Sequence, residues 1–253
     1  MKIIKYILLI VSLLLVFNIE NTYAQEADPT VSNTVVFIQN STLLIDQAAV
    51  FSAFDQYERP VWNTLVEEGK IMGYGHLTHT WGDEFNHNVY FVAENKSAFF
   101  EAWDTFFNEL NISTEELNEV QSKIKKHKDN IYIHTAFYGN GENVGGAVMI
   151  NQNRVNFSDQ SEWVSIFREY AFPILKNFVD QGKLNRFGLL LHEWGDDWNV
   201  NYYFHTDDQA QFNTTWSEYI AELRQKHPEQ LRRLIELTQD HKDNLYYERI
   251  PQE

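Results

Sequence analysis

The sequence contains a tandem duplication: the stretch from Tyr57 to Leu110 recurs from Tyr170 to Leu223 with a constant shift of 113 residues. Roughly a third of the 54 aligned positions are identical. The identical residues include prolines, glycines, histidines and tryptophans: Pro60/Pro173, Gly69/Gly182, Gly75/Gly188, His79/His192, Trp81/Trp194, Gly82/Gly195 and Trp103/Trp216. A period of this length is that of a small domain rather than of a solenoid repeat. We therefore expect two related domains, at residues 33–138 and 147–250.

The first half of each copy predicts a strand, a helix and a hairpin. Residues 34–38, and 147–150 in the second copy, form short β-branched runs typical of strands. A helical pattern then runs to Gly69, which suits the left-handed residue after a helix, and Pro60 must kink this helix or restart it. Two strands, 73–81 and 86–93, flank a Gly-Asp turn at 82–85.

The second half of each copy predicts two helices and a last strand. Apolar residues at helical spacing run from Phe99 to Leu110, and Ser113 with Glu116 forms a capping box for the next helix. Pro228 suits the first turn of the equivalent helix in copy two. The motif His-Lys-Asp-Asn, at His127 and at His241, is expected to end these helices, with last strands at 131–137 and 245–250.

This order, β-α-β-β-α-α-β, is the split βαβ pattern of the ferredoxin-like fold. The glycine-rich segment 139–146 predicts a flexible linker between the two copies. Two such sheets can bury their open faces on each other. The predicted fold class is therefore α+β, with two ferredoxin-like repeats that pack as a pseudo-dimer within one chain.

At this point the chain resembles the dimeric α+β-barrel superfamily, which includes antibiotic-biosynthesis monooxygenase, EthD-like and NIPSNAP-like proteins. The resemblance covers about residues 35–250 and depends on the element order and the duplication. It implies a barrel made of two ferredoxin-like units. It also implies that a substrate or haem pocket lies between a sheet and its own helices.

One face of the predicted hairpin is identical in both copies. If the turn is centred on residues 83 and 84, Trp81 lies opposite Asn86, His79 opposite Asn88 and Leu77 opposite Tyr90, all on one face. The functional interpretation is acid-base catalysis by His79, assisted by Asn88 and Tyr90, with ligand contacts from Trp81, His192, Asn201 and Tyr203. The alternative is a hydrogen-bonded barrel core, because a symmetric interface would also repeat these residues.

The opposite face differs between the copies and is polar only in the first. There, His76 as a second catalytic candidate could line a pocket with Thr78, Thr80 and His87, beneath a helix that carries Phe99, Phe100, Trp103 and Phe106. The alternative is that these side chains lie near a solvated sheet edge.

Several other functions are not favoured by the sequence. We expect no metal site, because His76 and His79 point to opposite faces of a strand and no carboxylate completes a set with His87. Asp83 and Asp196 suit turns rather than catalysis. No phosphate-binding loop, dinucleotide-binding glycine pattern or serine-nucleophile elbow is present. The net charge of −16 disfavours nucleic acid as a partner.

Residues 1–24 have the pattern of a secretory signal, with Lys2 and Lys5 before an apolar run and Ala24 at the cleavage site. We expect cleavage, no later membrane span, and a bacterial periplasmic or secreted protein. Without cysteine, disulfides and thiol chemistry are absent.

The leading functional hypothesis is an exported protein that binds a small, partly apolar molecule, with cofactor-free acid-base or oxygenase-type chemistry by a histidine of the first copy. The alternatives are a non-enzymatic binding or interaction module of the envelope, and a haem-binding protein with a histidine axial ligand.

Overall fold

A computed structural model describes residues 34–44, 47–82, 85–139, 145–195 and 197–250. The predicted signal segment 1–24, the turn residues Asp83 and Asp196, and positions 140–144 of the predicted linker lie outside the described residues. Among the described residues, no helix has the length and the apolar character that a bilayer-spanning helix requires.

Both copies fold with the predicted α+β element order. The first repeat comprises β1 (Val35–Leu43), α1 (Gln47–Ala53), a π-helical turn (Phe54–Glu58), α2 (Arg59–Glu67), β2 (Gly73–Trp81), β3 (His87–Ala93), α3 (Lys96–Glu109), α4 (Thr114–Ser122) and β4 (Ile124–Gly139). The second comprises β5 (Gly146–Val155), a 3₁₀ turn (Phe157–Asp159), α5 (Gln160–Ile166), a π-helical turn (Phe167–Ala171), α6 (Phe172–Asp180), β6 (Arg186–Trp194), β7 (Val200–Thr206), α7 (Gln209–Lys226), α8 (Pro228–Leu237) and β8 (Thr238–Glu248).

The eight strands close into one antiparallel barrel in the order β1-β3-β2-β8-β5-β7-β6-β4. Each repeat supplies four strands, and the repeats join where β2 pairs with β8 and where β4 pairs with β6. The predicted pseudo-dimer is therefore confirmed, and its two sheets form a single closed wall. Because neighbouring strands alternate in direction, β1, β2, β5 and β6 all begin at the same end of the barrel.

The turn chemistry that the sequence predicts is present in both repeats. Pro60 lies in the first turn of α2, immediately after the π-helical turn, so the helix restarts there. Gly69 follows α2 with φ of 69°, in the left-handed region that favours glycine. The capping box of α4 is formed: the Ser113 hydroxyl accepts from the Glu116 backbone N–H, and the Glu116 carboxylate accepts from the Ser113 backbone N–H.

Two predictions about the ends of the repeats were wrong. The motif at His127 and at His241 does not end a helix, because α4 ends at Ser122 and α8 at Leu237. Both motifs lie inside long strands, β4 and β8, whose first residues are mostly exposed. Both segments are paired with a neighbouring strand, β4 with β1 and β8 with β5, so the motifs continue the barrel wall.

The predicted hairpin pairing was wrong by two residues, although the predicted face was correct. Leu77 pairs with Asn88 and Gly75 with Tyr90, whereas His79 donates its backbone N–H to the Asn86 carbonyl. Side chains alternate along a strand with a period of two, so this shift moves no side chain to the other face. The identical face points into the barrel, and the divergent face points toward the helices.

Separate apolar cores lie outside and inside the barrel. Outside, helix residues at spacings of three and four pack on the sheet of their own repeat, as Phe99, Ala102 and Phe106 of α3 do in the first repeat. Inside, two smaller clusters contain residues from both repeats, and Tyr90 and Tyr203 contact both clusters. The barrel interior is therefore shared between the repeats.

Candidate functional site

The barrel encloses a cavity of about 600 Å³ at the end where β1, β2, β5 and β6 begin. Its wall is mainly aliphatic and comes from both repeats: Val36, Ile38, Leu77, Val92, Val148, Ile150 and Leu190. The polar residues of the lining are Tyr90, Tyr203, His134, His205, Arg186, Thr34 and Tyr74. This volume is in the range of sites for small organic molecules.

Gly75 and Gly188 leave room for the rings of Tyr90 and Tyr203, the two tyrosines that face the barrel interior. A Cβ atom at Gly75 would lie 2.3 Å from Cε1 of Tyr90, and one at Gly188 would lie 2.6 Å from Cε1 of Tyr203. Each tyrosine ring therefore lies flat against the backbone of its hairpin partner, which only glycine allows. Both glycines and both tyrosines are identical between the repeats, so this arrangement is built twice.

Four residues on one side of the cavity form the Glu248 cluster, which consists of Glu248, Arg186, His205 and Tyr90. Arg186 Nη2 lies 2.9 Å from Glu248 Oε2, and His205 Nε2 lies 2.9 Å from the same oxygen. The Tyr90 hydroxyl donates to Glu248 Oε1. The side chain of Glu248 is fully buried and that of Arg186 is 8% exposed, so this ion pair is desolvated.

The tautomer of His205 follows from its neighbours. Asn185 Nδ2 lies 3.1 Å from His205 Nδ1 and 2.8 Å from Asp207 Oδ1, so the amide donates one proton to each. His205 Nδ1 is then an acceptor, and Nε2 carries the proton donated to Glu248. His205 is thus a neutral donor that holds the carboxylate.

The protonation states in the Glu248 cluster are fixed by these contacts. Burial alone raises the pKa of Glu248, but the hydrogen bonds from His205 and Tyr90 and the charge of Arg186 outweigh it, so the pKa lies below its ordinary value. Burial, with the nearby Glu248 charge, raises the pKa of Tyr90 well above its ordinary value. At neutral pH Glu248 is a carboxylate and Tyr90 is a phenol.

A second polar group on the wall is the His134 chain, which consists of Thr34, His134 and Tyr203. His134 Nδ1 lies 2.8 Å from the Thr34 hydroxyl, and its Nε2 lies 3.0 Å from the Tyr203 hydroxyl. Burial lowers the pKa of His134 to about 3 and raises the pKa of Tyr203. Both side chains are therefore uncharged at neutral pH.

The two polar groups occupy equivalent places in the two repeats, but their chemistry differs. In the hairpins, which are related by the shift of 113 residues, Arg186 is equivalent to Gly73 and His205 to Val92. In the last strands, alignment of the His-Lys-Asp-Asn motifs makes Glu248 equivalent to His134. Where the second repeat places Arg186, the first therefore has no side chain. Nearby, Met72 and Val66 line the cavity and are 61% and 38% exposed, so the cavity reaches solvent on this side.

Apart from Trp81, the predicted residues of the identical face lie inside the barrel, in two groups. Tyr90 and Tyr203 line the cavity, whereas His79, His192, Asn88 and Asn201 lie further along the same strands, toward the hairpins. Within the described residues, Nε2 of each histidine, both side-chain polar atoms of Asn88 and Oδ1 of Asn201 are buried without a hydrogen-bond partner. Trp81, at the end of β2, is 41% exposed.

The predicted residues of the divergent face lie between the first sheet and its helices. His76 and His87 are buried with ring centroids 4.6 Å apart, and His76 packs against Phe54 at 4.4 Å. They contact the segment around the π-helical turn, not the α3 stripe as expected. Trp103 belongs to that stripe and lies 4.5 Å from Phe37. Thr80 is exposed, and Thr78 donates to the backbone carbonyl of Tyr247.

Sequence reasoning missed Arg186, His205, Glu248 and His134. A signal was available for Arg186 and His205. Side chains alternate along a strand, so position 73 lies on the same inward face as Leu77, and the counterpart of Gly73 in the second repeat is Arg186. Val92 likewise lies on the same inward face of β3 as Tyr90, and its counterpart in the second repeat is His205. Glu248 and His134 carried no comparable signal, since the pairing of β8 and β4 with other strands determines what they contact.

The two histidines on the cavity wall are not available as ligands to a metal or to haem iron. Among the described residues, no three histidine, aspartate or glutamate side chains converge as metal ligands. The two histidines that line the cavity, His134 and His205, have both ring nitrogens in hydrogen bonds. Neither offers a ring nitrogen to an iron, and the propionates of haem would meet a single cation already paired with Glu248.

No protein-family model matches the chain, and no curated protein matches its sequence. Solved structures match its fold. A provisionally assigned monooxygenase from Lactobacillus acidophilus NCFM has a TM-score of 0.56 and 10% identity, covering 86% of this chain and 94% of that one. A mutant chlorite dismutase from Candidatus Nitrospira defluvii, in complex with cyanide, has a TM-score of 0.54 and 10% identity, covering 87% and 92%.

A haem-binding protein from Thermus thermophilus matches with a TM-score of 0.50 and 13% identity, covering 86% of this chain and 92% of that one. At these identities the likeness establishes the fold alone. The chain has the fold of the dimeric α+β-barrel proteins, which confirms the resemblance predicted from the duplication.

Proposed function

We propose that this protein binds a small, largely apolar molecule inside its β-barrel. The observation that carries the proposal is the cavity of about 600 Å³, walled by aliphatic side chains and reaching solvent beside Gly73. An enclosed apolar cavity with a few polar groups is the usual form of a small-molecule site. The ligand enters over Gly73 and places its polar end near the Glu248 cluster or the His134 chain.

Binding is favoured over acid-base catalysis by the state of the cavity groups. A general acid or base works best with a pKa near the operating pH. The pKa of Glu248 and that of His134 are lowered, and those of Tyr90 and Tyr203 are raised, so none of these four groups exchanges a proton readily at neutral pH. The predicted catalytic pair His76 and His79 belongs to other parts of the fold and does not line the cavity.

The proposal is tested by closing the entrance. The substitution Gly73→Arg copies the residue of the second repeat, and a Cβ atom at Gly73 has no heavy atom within 4 Å. With the uncharged dye Nile red as probe, we expect saturable binding to the wild type and a dissociation constant at least about tenfold higher in the variant, equivalent to about 1.4 kcal/mol.

Thr80→Arg is the matched control, because it adds the same charge at an exposed position of β2. It should bind the dye as the wild type does. Gly73→Leu adds a bulky side chain without a charge, so it distinguishes steric blockage of the entrance from an effect of charge. It should also weaken dye binding. Equal affinity of Gly73→Arg and wild type, with both folded by near-ultraviolet circular dichroism, would contradict binding through this entrance.

The N-terminal signal pattern supports an exported protein that meets its ligand in the periplasm or outside the cell. Secretion of the full chain with a C-terminal tag, followed by N-terminal sequencing, tests this part. Retention of residues 1–24 in the mature protein would contradict it.

Oxygenase-type catalysis in the same cavity is the second candidate. The name of the Lactobacillus acidophilus protein supports it, and the His134 chain offers hydroxyl and imidazole groups that would orient a bound hydroxyl at the cavity wall. Oxygen uptake with conversion of a bound compound favours this candidate. Recovery of the compound unchanged favours binding alone. Haem, named for the Thermus thermophilus protein, is not proposed, because the cavity histidines are engaged.

A further inference from the structure

The cavity has no net charge. Arg186 is the cation of its wall, and Glu248 compensates it at 2.9 Å. His205 is a neutral donor, as its contacts with Asn185 and Glu248 require. His134 lies between two neutral hydroxyls, which do not favour an imidazolium.

An anionic ligand is therefore disfavoured at this site. A buried charge without a counter-charge is costly, and the charge of Arg186 is already compensated by Glu248, so a ligand anion would leave the cavity with a net negative charge. The net charge of −16 adds a long-range repulsion for anions. The apolar wall likewise disfavours a free ammonium group.

The hydrogen-bonding groups favour a ligand that donates. The Tyr90 hydroxyl donates its proton to Glu248, and its oxygen accepts from Arg186 Nη2 at 3.5 Å, so toward a ligand it can act only as an acceptor, through its remaining lone pair. The Tyr203 hydroxyl is an acceptor or a donor toward the cavity, depending on the tautomer of His134. A ligand hydroxyl satisfies either state, because it donates and accepts, whereas a carbonyl can only accept.

We infer that the cavity selects neutral molecules in which an apolar body carries a hydroxyl group, that is, phenols or apolar alcohols, over carboxylates of the same size. This inference rests on the proposed binding function and specifies its ligand class. The Arg186–Glu248 pair excludes anions, and Tyr203 with Tyr90 recognises the hydroxyl.

Equilibrium dialysis of the full chain at neutral pH with three probes tests the inference. Naphthalene has no polar group, 2-naphthol carries an uncharged hydroxyl, and 2-naphthoate is an anion. We expect 2-naphthol to bind about 2- to 12-fold more tightly than naphthalene, the effect of one net hydrogen bond, and 2-naphthoate to bind more weakly than both. Preference for 2-naphthoate, or equal binding of 2-naphthol and naphthalene, would overturn the inference while leaving the binding function intact.

Two variants assign the selectivity to residues. Tyr203→Phe should lower the affinity ratio of 2-naphthol to naphthalene while keeping naphthalene binding, which also reports that the barrel is folded. Tyr202→Phe is the control, because its side chain points outward and belongs to the helix-side core. Glu248→Gln should raise the affinity for 2-naphthoate relative to 2-naphthol, since it leaves the charge of Arg186 uncompensated.

An unchanged ratio in Tyr203→Phe would refute the role of that hydroxyl. If none of the three probes binds the wild type and Gly73→Arg has no effect on Nile red, the proposed function itself fails, which is distinct from a failure of selectivity.

Discussion

Removing Glu248 should destabilise the barrel far more than removing both members of its ion pair. The variant Glu248→Leu leaves Arg186 charged at 8% side-chain exposure and takes a hydrogen-bond partner from Tyr90 and His205. Breaking a buried pair in this way typically costs about 3–5 kcal/mol of unfolding free energy. The double variant Arg186→Met/Glu248→Leu removes the uncompensated charge. It should recover about 2 kcal/mol or more of that loss.

Guanidinium unfolding followed by tryptophan fluorescence measures these free energies, and the chain has 7 tryptophans to report on it. Arg233 and Glu162 provide a matched pair of the same residue types, with side chains 45% and 47% exposed. Glu162→Leu should cost much less than Glu248→Leu, because solvent screens an exposed pair.

The single and double variants of Arg186 and Glu248 form a double-mutant cycle, which tests whether the two side chains are coupled. If the losses of Arg186→Met and Glu248→Leu add to that of the double variant, the two side chains are not coupled. The inference that Glu248 compensates the charge of Arg186, on which the predicted ligand selectivity depends, would then be wrong. A loss in Glu248→Leu no larger than in Glu162→Leu would show that the site is solvated.

Three further predictions concern packing, pH and capping. Gly75→Ala should cost about 1–3 kcal/mol through overpacking against Tyr90, and unchanged chemical denaturation would contradict the ring position. Burial lowers the pKa of His87 to about 4, with Arg249 contributing, so the unfolded chain binds more protons, and His87 should contribute a fall in stability of about 1.4 kcal/mol per pH unit as pH decreases from about 6.5 toward 4. His76 and His134, whose pKa values are also lowered by burial, contribute in the same direction. His87→Val, which copies the second repeat, should therefore reduce the slope without abolishing it, and an unaltered slope would refute the assignment. Ser113→Ala should cost about 1 kcal/mol by removing the cap of α4, whereas a melting temperature equal to wild type would exclude a stabilising capping box.

The duplication made the fold predictable, because it marked the repeat length and aligned the same elements twice. The hairpin face was predictable although its pairing was not, since strand parity is unaffected by an even shift in register. Glu248 could not be placed from sequence. Its partners Arg186 and Tyr90 lie 62 and 158 residues away, and only the closure of β8 between β2 and β5 brings them together.

The motif at His127 illustrates a different limit. Its polar side chains have no alternating pattern, so they resemble the end of a helix as much as the start of a strand. The pairing of β4 with β1 determines the outcome, with His127 opposite Ser41. Such backbone pairing cannot be predicted from the local sequence when the side chains on both faces of the strand are polar.

The contrast between Gly73 and Arg186 has a consequence for how such a barrel can evolve. In an assembly of two identical subunits, one mutation alters both walls, so an entrance on one side and a charged wall on the other cannot be encoded. Covalent fusion of the two copies removes that constraint. The two halves can then diverge independently, so that a single barrel has an open entrance on one side and a charged wall on the other.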